Sequence, residues 1–327
     1  AHNRCMSLPV PSISFLIPAY NVAPFIGETL ASVLSADRHD FEIVVVNDGS
    51  TDETPAILAA IKDPRVRVVH QQNRGLPATR NAGILNSRGE YLIFLDGDDL
   101  FDMSTLDRML EPLLADPDTV LSYGNSVKFH SDGRRWAPSP YGRIRRRPSG
   151  HLLCEIVQRN FIGPPGCCCV RRRAIDQVGM FDATLLMGED WEFYCRVASV
   201  GSFAFVPVVC LHYRQHDTSM SKGIGLRLES YARFTETLFA SEPLATRFHA
   251  QERSRLRRSH QSHVHGFIAI RALEARAYGK SLAALAAAIR TYPPRAVEYL
   301  ARYGWIALQS LLVSKPKLRL DASGRGE

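Results

Sequence analysis

Short apolar runs alternate with helical segments over the first hundred residues, and this alternation restricts the possible folds more than any other feature. The apolar runs, which predict four strands, are 13–18, 41–47, 66–70 and 91–95. The segments with helical spacing between them are 24–35, 53–61 and 77–86. Strands that alternate with helices in this way form a parallel sheet with helices packed on its faces. The sequence therefore predicts an α/β fold with a mostly parallel central sheet.

Polar and acidic side chains follow the predicted strands. Ligands of open parallel sheets bind beyond the carboxyl ends of the strands, so these loops form the candidate binding edge. Asp96, Asp98 and Asp99 come directly after the fourth strand, where clustered carboxylates raise one another's pKa unless a cation compensates their charge. Carboxylate oxygens suit Mg²⁺ or Mn²⁺ better than zinc. The cluster predicts a divalent metal site, although a turn capped by Asp98 or Asp99 would also explain it.

Basic residues are concentrated in the last third of the 327-residue chain. Residues 1–225 contain 23 basic and 25 acidic residues, whereas residues 226–327 contain 17 and 8. In the second range Ala, Leu, Arg and aromatic residues recur at helical spacing, which predicts a helical subdomain. Its positive charge is typical of a protein that faces an anionic membrane or an acidic acceptor, and a solvated helix face explains it equally well. A further basic stretch at 134–148 predicts a connecting loop.

The seven cysteines form no CxxC pair, and three of them are consecutive within an apolar stretch. Buried, reduced thiols are the expected state of such residues, and we therefore predict a cytoplasmic protein. Every apolar run falls short of the roughly 20 residues that span a bilayer, so we expect no transmembrane helix.

Seven short motifs follow one another along residues 10–220. They are IPAYN at 17–21, NDGSTD at 47–52, NRG at 73–75, ATRNAG at 78–83, GEY at 89–91, FLDGDD at 94–99 and GEDW at 188–191. Taken in this order, they resemble the motifs of the inverting family-2 glycosyltransferases, which have the GT-A fold. The resemblance implies a catalytic domain at 1–225, with a donor half at about 10–100 and an acceptor half at about 101–225, followed by the helical subdomain at 226–327.

The resemblance also implies a nucleotide-sugar donor, usually a UDP-sugar, and a Mn²⁺ or Mg²⁺ cofactor. The donor-binding residues would then be Pro18, Ala19, Tyr20, Asn21, Asp48, Asn73, Arg80, Asp96 and Arg214. Asp98 would bind the metal directly, and His216 would be a further metal ligand unless it is only a surface histidine. The segment 217–225 would close over the diphosphate. Family members commonly have Asp-Asp where this chain has Asn47-Asp48, and this difference bears on donor preference more than on activity.

An acidic pair, Glu189 and Asp190, opens a predicted helix, where the helix dipole alone would favour it. An inverting transfer, however, needs a carboxylate that takes the proton of the acceptor hydroxyl in a single displacement. The resemblance places this base at the second position of the pair, which is Asp190. Glu189 and Trp191 would contact the acceptor.

We therefore expect a metal-dependent inverting hexosyltransferase that moves a sugar to a hydroxyl of a glycan, lipid-linked or polymer acceptor in cell-surface polysaccharide synthesis. The basic helices would rest on the inner face of the membrane. We expect no nucleic-acid partner, and the sequence is compatible with an oligomer. One alternative is a sugar-nucleotide pyrophosphorylase, but it needs a Gly-rich basic loop where this chain has residues 18–21. A second is a catalytically silent protein that binds a nucleotide sugar or an anionic surface.

Overall fold

A mixed eight-stranded sheet lies at the centre of the computed structural model, which describes residues 11–130, 147–216 and 228–313. Its strands are β1 (Ile13–Ala19), β2 (Phe41–Asp48), β3 (Val66–Gln71), β4 (Tyr91–Phe94), β5 (Leu100–Phe101), β6 (Thr119–His130), β7 (Cys168–Arg171) and β8 (Ser202–Gln215). Their order across the sheet is β3-β2-β1-β4-β7-β6-β8-β5. Strands β2 and β4 are buried along their whole length, because both sheet faces are covered.

Helices cover the two faces of the sheet. They are α1 (Ile26–Leu34), α2 (Thr54–Ala59), α3 (Leu76–Leu85), α4 (Leu106–Ala115), α5 (Leu153–Gln158), α6 (Arg172–Val178) and α7 (Glu189–Val197). The apolar faces of α1, α2 and α4 share one core with inward side chains of β1, such as Phe15 and Ile17. Helices α3 and α5 to α7 share the core on the opposite face with Leu16 and Phe94.

The four predicted strands are confirmed, and their order explains where a ligand can bind. Strand β1 pairs in parallel with both β2 and β4, and β2 pairs in parallel with β3. The carboxyl ends of these strands therefore lie at one edge. Beyond residue 100 the sheet becomes mixed, because β7 pairs antiparallel with both β4 and β6, and β5 pairs antiparallel with β8. The predicted α/β fold is confirmed, with its parallel part confined to the first hundred residues and the pair β6–β8.

A helical region follows the sheet, as the composition predicts. Its helices are α8 (Leu228–Ala240), α9 (Glu242–Arg247), α10 (Ala250–Glu274), α11 (Tyr278–Thr291) and α12 (Ala296–Val313). Buried residues of this region, including Phe234, Leu238 and Ile268, belong to the same hydrophobic core as α5 and α7. No described helix is both long enough and apolar enough to cross a membrane. The predicted loop at 134–148 lies almost entirely outside the described residues, as does the predicted closing segment at 217–225.

Candidate active site

The loops after β1 and β2 are tied together at the carboxyl edge of the sheet. Asn21 has a left-handed backbone (φ +52°), and its side-chain oxygen accepts a hydrogen bond from the Thr51 amide at 2.8 Å. The Asn21 amide in turn donates to Ser50 Oγ at 3.1 Å. Ala19 is fully buried, whereas half of the neighbouring Tyr20 surface is exposed. Of these predicted donor contacts, the residues exposed to a ligand are therefore Tyr20 and Asn21.

Asp48, at the end of β2, organises the loop that follows β3. Its Oδ1 accepts hydrogen bonds from Gln71 Nε2 at 2.7 Å and from the Arg74 amide at 2.9 Å, and its Oδ2 accepts one from the Gly75 amide at 3.0 Å. A buried carboxylate needs such donors because burial removes its hydration. Both oxygens of Asp48 thus hold the 71–75 loop in place, while the side chain of Asn73 in that loop is exposed. The donor contacts predicted for Asp48 and Asn73 stay predictions.

The acidic cluster after β4 divides into one buried and two accessible carboxyl groups. Asp99 is buried and accepts a hydrogen bond from the Arg214 amide at 2.8 Å. Burial, followed by the charges of Asp98 and Asp96, raises the pKa of Asp99 well above its usual range. Asp96 and Asp98 each keep about a quarter of the side chain exposed (25% and 26%). These two carboxylates are therefore the members of the cluster that a ligand can reach.

Asp98 and His216 form the predicted metal pair, and the structure brings them together. Asp98 Oδ2 lies 2.8 Å from His216 Nε2, and burial together with the charge of Asp96 raises the pKa of Asp98. A cation would relieve this unfavourable burial of negative charge. Within the described residues, no three or more His, Cys, Asp or Glu side chains gather into a group that could hold a metal. An ion bound by Asp98 and His216 would therefore need its other ligands from outside these side chains, such as phosphate oxygens and water.

Arg214 supports the acidic loop, residues 96–99, through a hydrogen bond to its backbone. Its Nε donates to the Asp98 carbonyl at 2.7 Å, and its Nη2 donates to Glu28 at 2.7 Å. The guanidinium also lies between the rings of Phe25 and Phe129, at 5.1 and 4.6 Å from their centroids. With 4% of its side chain exposed, Arg214 serves as internal support for the acidic loop. The phosphate contact that we expected for it stays a prediction, and this burial does not favour it.

Arg80 connects the acidic loop to the start of α7. Its Nη2 donates to Asp96 Oδ1 and its Nη1 donates to Glu189 Oε1, both at 2.9 Å. Burial by itself lowers the pKa of Arg80, but the charges of Asp96 and Glu189 outweigh burial and raise that pKa. The guanidinium therefore stays charged, although only 2% of its side chain is exposed.

The backbone before α7 sets the direction of the acidic pair. Gly188 adopts a left-handed conformation (φ +73°), and a Cβ at this position would lie 2.9 Å from the Phe234 ring. Glu189 and Asp190 follow in the first turn, and Asp190 Oδ1 accepts a hydrogen bond from the Trp191 amide at 2.7 Å. Burial and then the charge of Glu189 raise the pKa of Asp190 to about 7, although Arg80 opposes the shift. Asp190 therefore has the pKa of a group that exchanges protons near neutral pH.

Trp191 points away from this acidic pair. Its indole packs against the rings of Phe234 and His260, with centroids 5.2 and 4.6 Å away. Its Nε1 donates to the carbonyl of Ile156, and the residue is 7% exposed. This packing gives Trp191 a structural role between α7 and the helical region, and the acceptor contact that we expected for it stays a prediction.

Asn81 is a residue of the site that the sequence analysis did not single out. Its Nδ2 donates to the Phe181 carbonyl at 2.8 Å, and its Oδ1 accepts from the Phe181 amide at 2.9 Å. The only signal in the sequence was its place beside Arg80 in the motif at 78–83. A local pattern cannot reveal a partner one hundred positions away.

The sequence matches the model of a known family over about half of its length. The model of the family described as Glycosyl transferase family 2 matches residues 14–179, a segment that contains β1 to β4, Asp48, Arg80 and the acidic loop.

Two curated relatives are similar to this chain over more than half of its length. The uncharacterized glycosyltransferase EpsJ of Bacillus subtilis is 39% identical over 190 residues, which are 56% of this chain and 55% of EpsJ. The succinoglycan biosynthesis protein ExoO of Rhizobium meliloti is 33% identical over 226 residues, which are 66% of this chain and 64% of ExoO. The matches therefore span between about half and two thirds of the length of these two relatives.

Solved structures share the fold at low sequence identity. S. aureus TarS 1–349 in complex with UDP-GlcNAc has a TM-score of 0.64 and 16% identity, with 94% of this chain and 93% of that chain covered. The mannosyltransferase PcManGT of Pyrobaculum calidifontis, in complex with GDP-Man and Mn²⁺, has a TM-score of 0.57 and 20% identity, with 92% and 81% covered. Both likenesses extend beyond the family match into the helical region.

Proposed function

Because the chain belongs to glycosyl transferase family 2, we propose that it transfers a sugar from a nucleotide-sugar donor to a hydroxyl of a glycan or lipid-linked acceptor. The observation that carries this proposal is the continuous charged arrangement Asp96–Arg80–Glu189. It joins the acidic loop at the sheet edge to helix α7, which begins with the acidic pair Glu189 and Asp190. A site of this kind suits a donor bound beside the acidic loop and an acceptor bound beside the start of α7. Synthesis of a polysaccharide, the role named for ExoO, is the proposed context.

We propose a UDP-sugar as the donor and Asp190 as the catalytic base. Tyr20, half exposed beside the loop after β2, would contact the nucleoside, and Asp96 would lie near the ribose and the diphosphate. Asp190 would accept the proton of the acceptor hydroxyl as that oxygen attacks the anomeric carbon, so the configuration inverts in a single displacement. Glu189, fixed by Arg80, would orient the acceptor.

The acidic loop supplies the proposed cation site. Asp98 and His216 would hold Mn²⁺ or Mg²⁺, and the bound ion would neutralise the negative charge that develops on the departing diphosphate. Asp96 remains paired with Arg80, which keeps its carboxylate at the edge of the same space. Asp99, bonded to the Arg214 amide, holds the loop against β8.

Donor binding and turnover test this proposal directly. We expect UDP-GlcNAc or another UDP-sugar to raise the melting temperature more strongly with Mn²⁺ than with EDTA, and UDP to be released when a suitable acceptor is added. GDP-Man, which is bound in the PcManGT structure, tests whether the site prefers uracil or guanine as the nucleobase of the donor. Binding without release of the nucleotide under any acceptor would favour the silent binding protein. Stabilisation by neither UDP-sugars nor GDP-sugars would reject a nucleotide-sugar enzyme.

For the helical region we propose peripheral contact with the cytoplasmic face of a membrane, where a lipid-linked acceptor would be presented. Val297, Leu300 and Trp305 on α12 are exposed, and the region carries the excess of basic residues. Exposed apolar groups beside basic ones are typical of surfaces that bind anionic lipid. Co-sedimentation with vesicles that contain phosphatidylglycerol, but not with pure phosphatidylcholine vesicles, is the expected result. Equal sedimentation with both, or with neither, would count against the contact.

A further inference from the structure

We propose that Arg80 and Asn81, adjacent on α3, are positioning residues that fix α7 at a set distance from the acidic loop after β4. This inference rests on the proposed glycosyl transfer and deepens it. It also gives Arg80 a role different from the donor contact that the family resemblance implies. The two residues face two different segments of the acceptor half, so they provide two independent attachments.

Arg80 provides the first attachment. Its two terminal nitrogens donate to Asp96 and to Glu189, each at 2.9 Å, so one rigid guanidinium fixes the separation of the two carboxylates. The side chain is 2% exposed, which leaves almost no surface for a nucleotide to contact. The guanidinium also lies 5.5 Å from the centroid of the Phe181 ring. Arg80 is therefore enclosed by the groups that it holds.

Asn81 provides the second attachment. It both donates to the Phe181 carbonyl (2.8 Å) and accepts from the Phe181 amide (2.9 Å), a pairing that an amide side chain can make and a carboxylate cannot. The Phe181 ring stacks on Phe193 of α7 at 4.3 Å and meets Phe94 of β4 edge-on at 5.0 Å. The chain that leads into α7 is thereby packed between the helix and the strand.

The position of α7 matters because the catalytic base lies on it. A base must reach the acceptor hydroxyl at hydrogen-bonding distance, and a displacement of about 1 Å can lower a rate by about a hundredfold. Glu189 directly precedes Asp190 in the first turn of α7. A bond that fixes Glu189 relative to Asp96 therefore also fixes the base relative to the donor side of the site.

Hydrogen–deuterium exchange of the ligand-free protein tests the positioning role without relying on turnover. The variants are Arg80→Lys, whose single ammonium cannot hold both carboxylates in the same fork, and Asn81→Asp, which loses the bond to the Phe181 carbonyl. The matched control is Arg171→Lys. Arg171 is also a buried arginine, bonded to Glu90 at 3.0 Å and lying 5.3 Å from the Tyr91 ring centroid, but at the other end of β4.

We expect amide exchange in residues 181–191 to become at least tenfold faster in both α3 variants and to stay unchanged in the control. The affinity for UDP with Mn²⁺, measured by calorimetry, should stay within threefold of the wild type. The rate of UDP release from UDP-GlcNAc should fall at least tenfold. Glu189→Gln, which keeps the size of the side chain and weakens its bond to Arg80, should reproduce the faster exchange if Arg80→Lys does not fold.

The outcomes separate the two proposals. Unchanged exchange in Arg80→Lys, Asn81→Asp and Glu189→Gln would overturn the positioning role. A tenfold loss of UDP affinity in Arg80→Lys with unchanged exchange would do so as well, because it would make Arg80 a donor ligand. If the wild type neither binds nor hydrolyses a nucleotide sugar, the proposed function fails, while faster exchange in the variants would still support the attachment of α7 by Arg80 and Asn81.

Discussion

Arg80 and Glu189 are separated by 109 positions in the chain, yet Nη1 of the arginine donates to Oε1 of the glutamate at 2.9 Å. The same guanidinium donates to Asp96, so the parallel part of the sheet and the helix α7 meet in one charged group. Removing such a buried partner leaves an uncompensated charge, which is far more costly than losing a surface ion pair. A buried ion-pair group thus connects the two parts of the proposed active site.

Asp190→Asn should abolish the proposed transfer while leaving the protein folded. The amide cannot accept the proton of the acceptor hydroxyl, and we expect the rate to fall by about 10²–10⁴-fold. The measurement is nucleotide release together with calorimetric binding of the donor, which should be unaffected. Asp176→Asn, at an exposed position on α6, is the control that should retain full activity. Turnover of Asp190→Asn within threefold of the wild type would contradict the assignment of the base.

The rate of transfer at saturating donor should decline as the pH falls through about 7. Burial and Glu189 raise the pKa of Asp190 to about 7, and a base acts only in its ionised form. Below that pH the protonated fraction grows, so the rate should fall by about tenfold per pH unit, and above it the rate should level off. A profile recorded from pH 5 to 9 tests this. A rate that stays constant down to pH 5 would show that the step depends on no group with such a pKa.

His216→Ala should weaken the binding of UDP only when a divalent cation is present. The imidazole lies 2.8 Å from the Asp98 carboxylate, and removing one of these two groups should lower the affinity for Mn²⁺ by about tenfold or more. Calorimetry with UDP in the presence of Mn²⁺ or EDTA measures this difference. His151→Ala, whose side chain is 74% exposed, should behave like the wild type. Equal UDP affinity of His216→Ala and wild type in Mn²⁺ would exclude a ligand role for His216.

Gly188→Ala should destabilise the protein by about 1–3 kcal/mol. The left-handed backbone disfavours a side chain, and the added Cβ would lie 2.9 Å from the Phe234 ring. Denaturant unfolding gives the free energy. In Gly279→Ala the new methyl group meets no atom within 4 Å and the glycine is helical, so this control should be neutral or stabilised by up to about 1 kcal/mol. Equal stability of Gly188→Ala and wild type would show that the backbone can relax there.

Trp191→Phe should lower stability without weakening donor binding. The variant leaves the buried carbonyl of Ile156 without its indole donor, which should cost about 1–3 kcal/mol. Trp305→Phe, at a residue that is 55% exposed, should change stability by about 0.5 kcal/mol or less. A raised KM for the acceptor with unchanged stability of Trp191→Phe would instead support the acceptor role predicted from the sequence.

Several features of the site followed from the sequence because they depend on local patterns. The apolar runs predicted β1 to β4, and the acidic side chains predicted the edge at which Asp96 and Asp98 lie. The burial of the Arg214 and Trp191 side chains did not follow from the sequence. Their partners, Glu28 and Ile156, lie far away in the chain, so no spacing within a motif indicates that these side chains turn inward.

The sequence by itself determined the order of strands and helices and the loops that carry carboxylates, because backbone preference and apolar periodicity act over a few neighbouring residues. Only the tertiary structure decided which charged groups meet. Asp48 bonds to the 71–75 loop, Arg80 lies between Asp96 and Glu189, and Asp98 lies beside His216. Electrostatic energy depends on distance and burial in space, and both are fixed only when the sheet brings segments a hundred residues apart to the same edge.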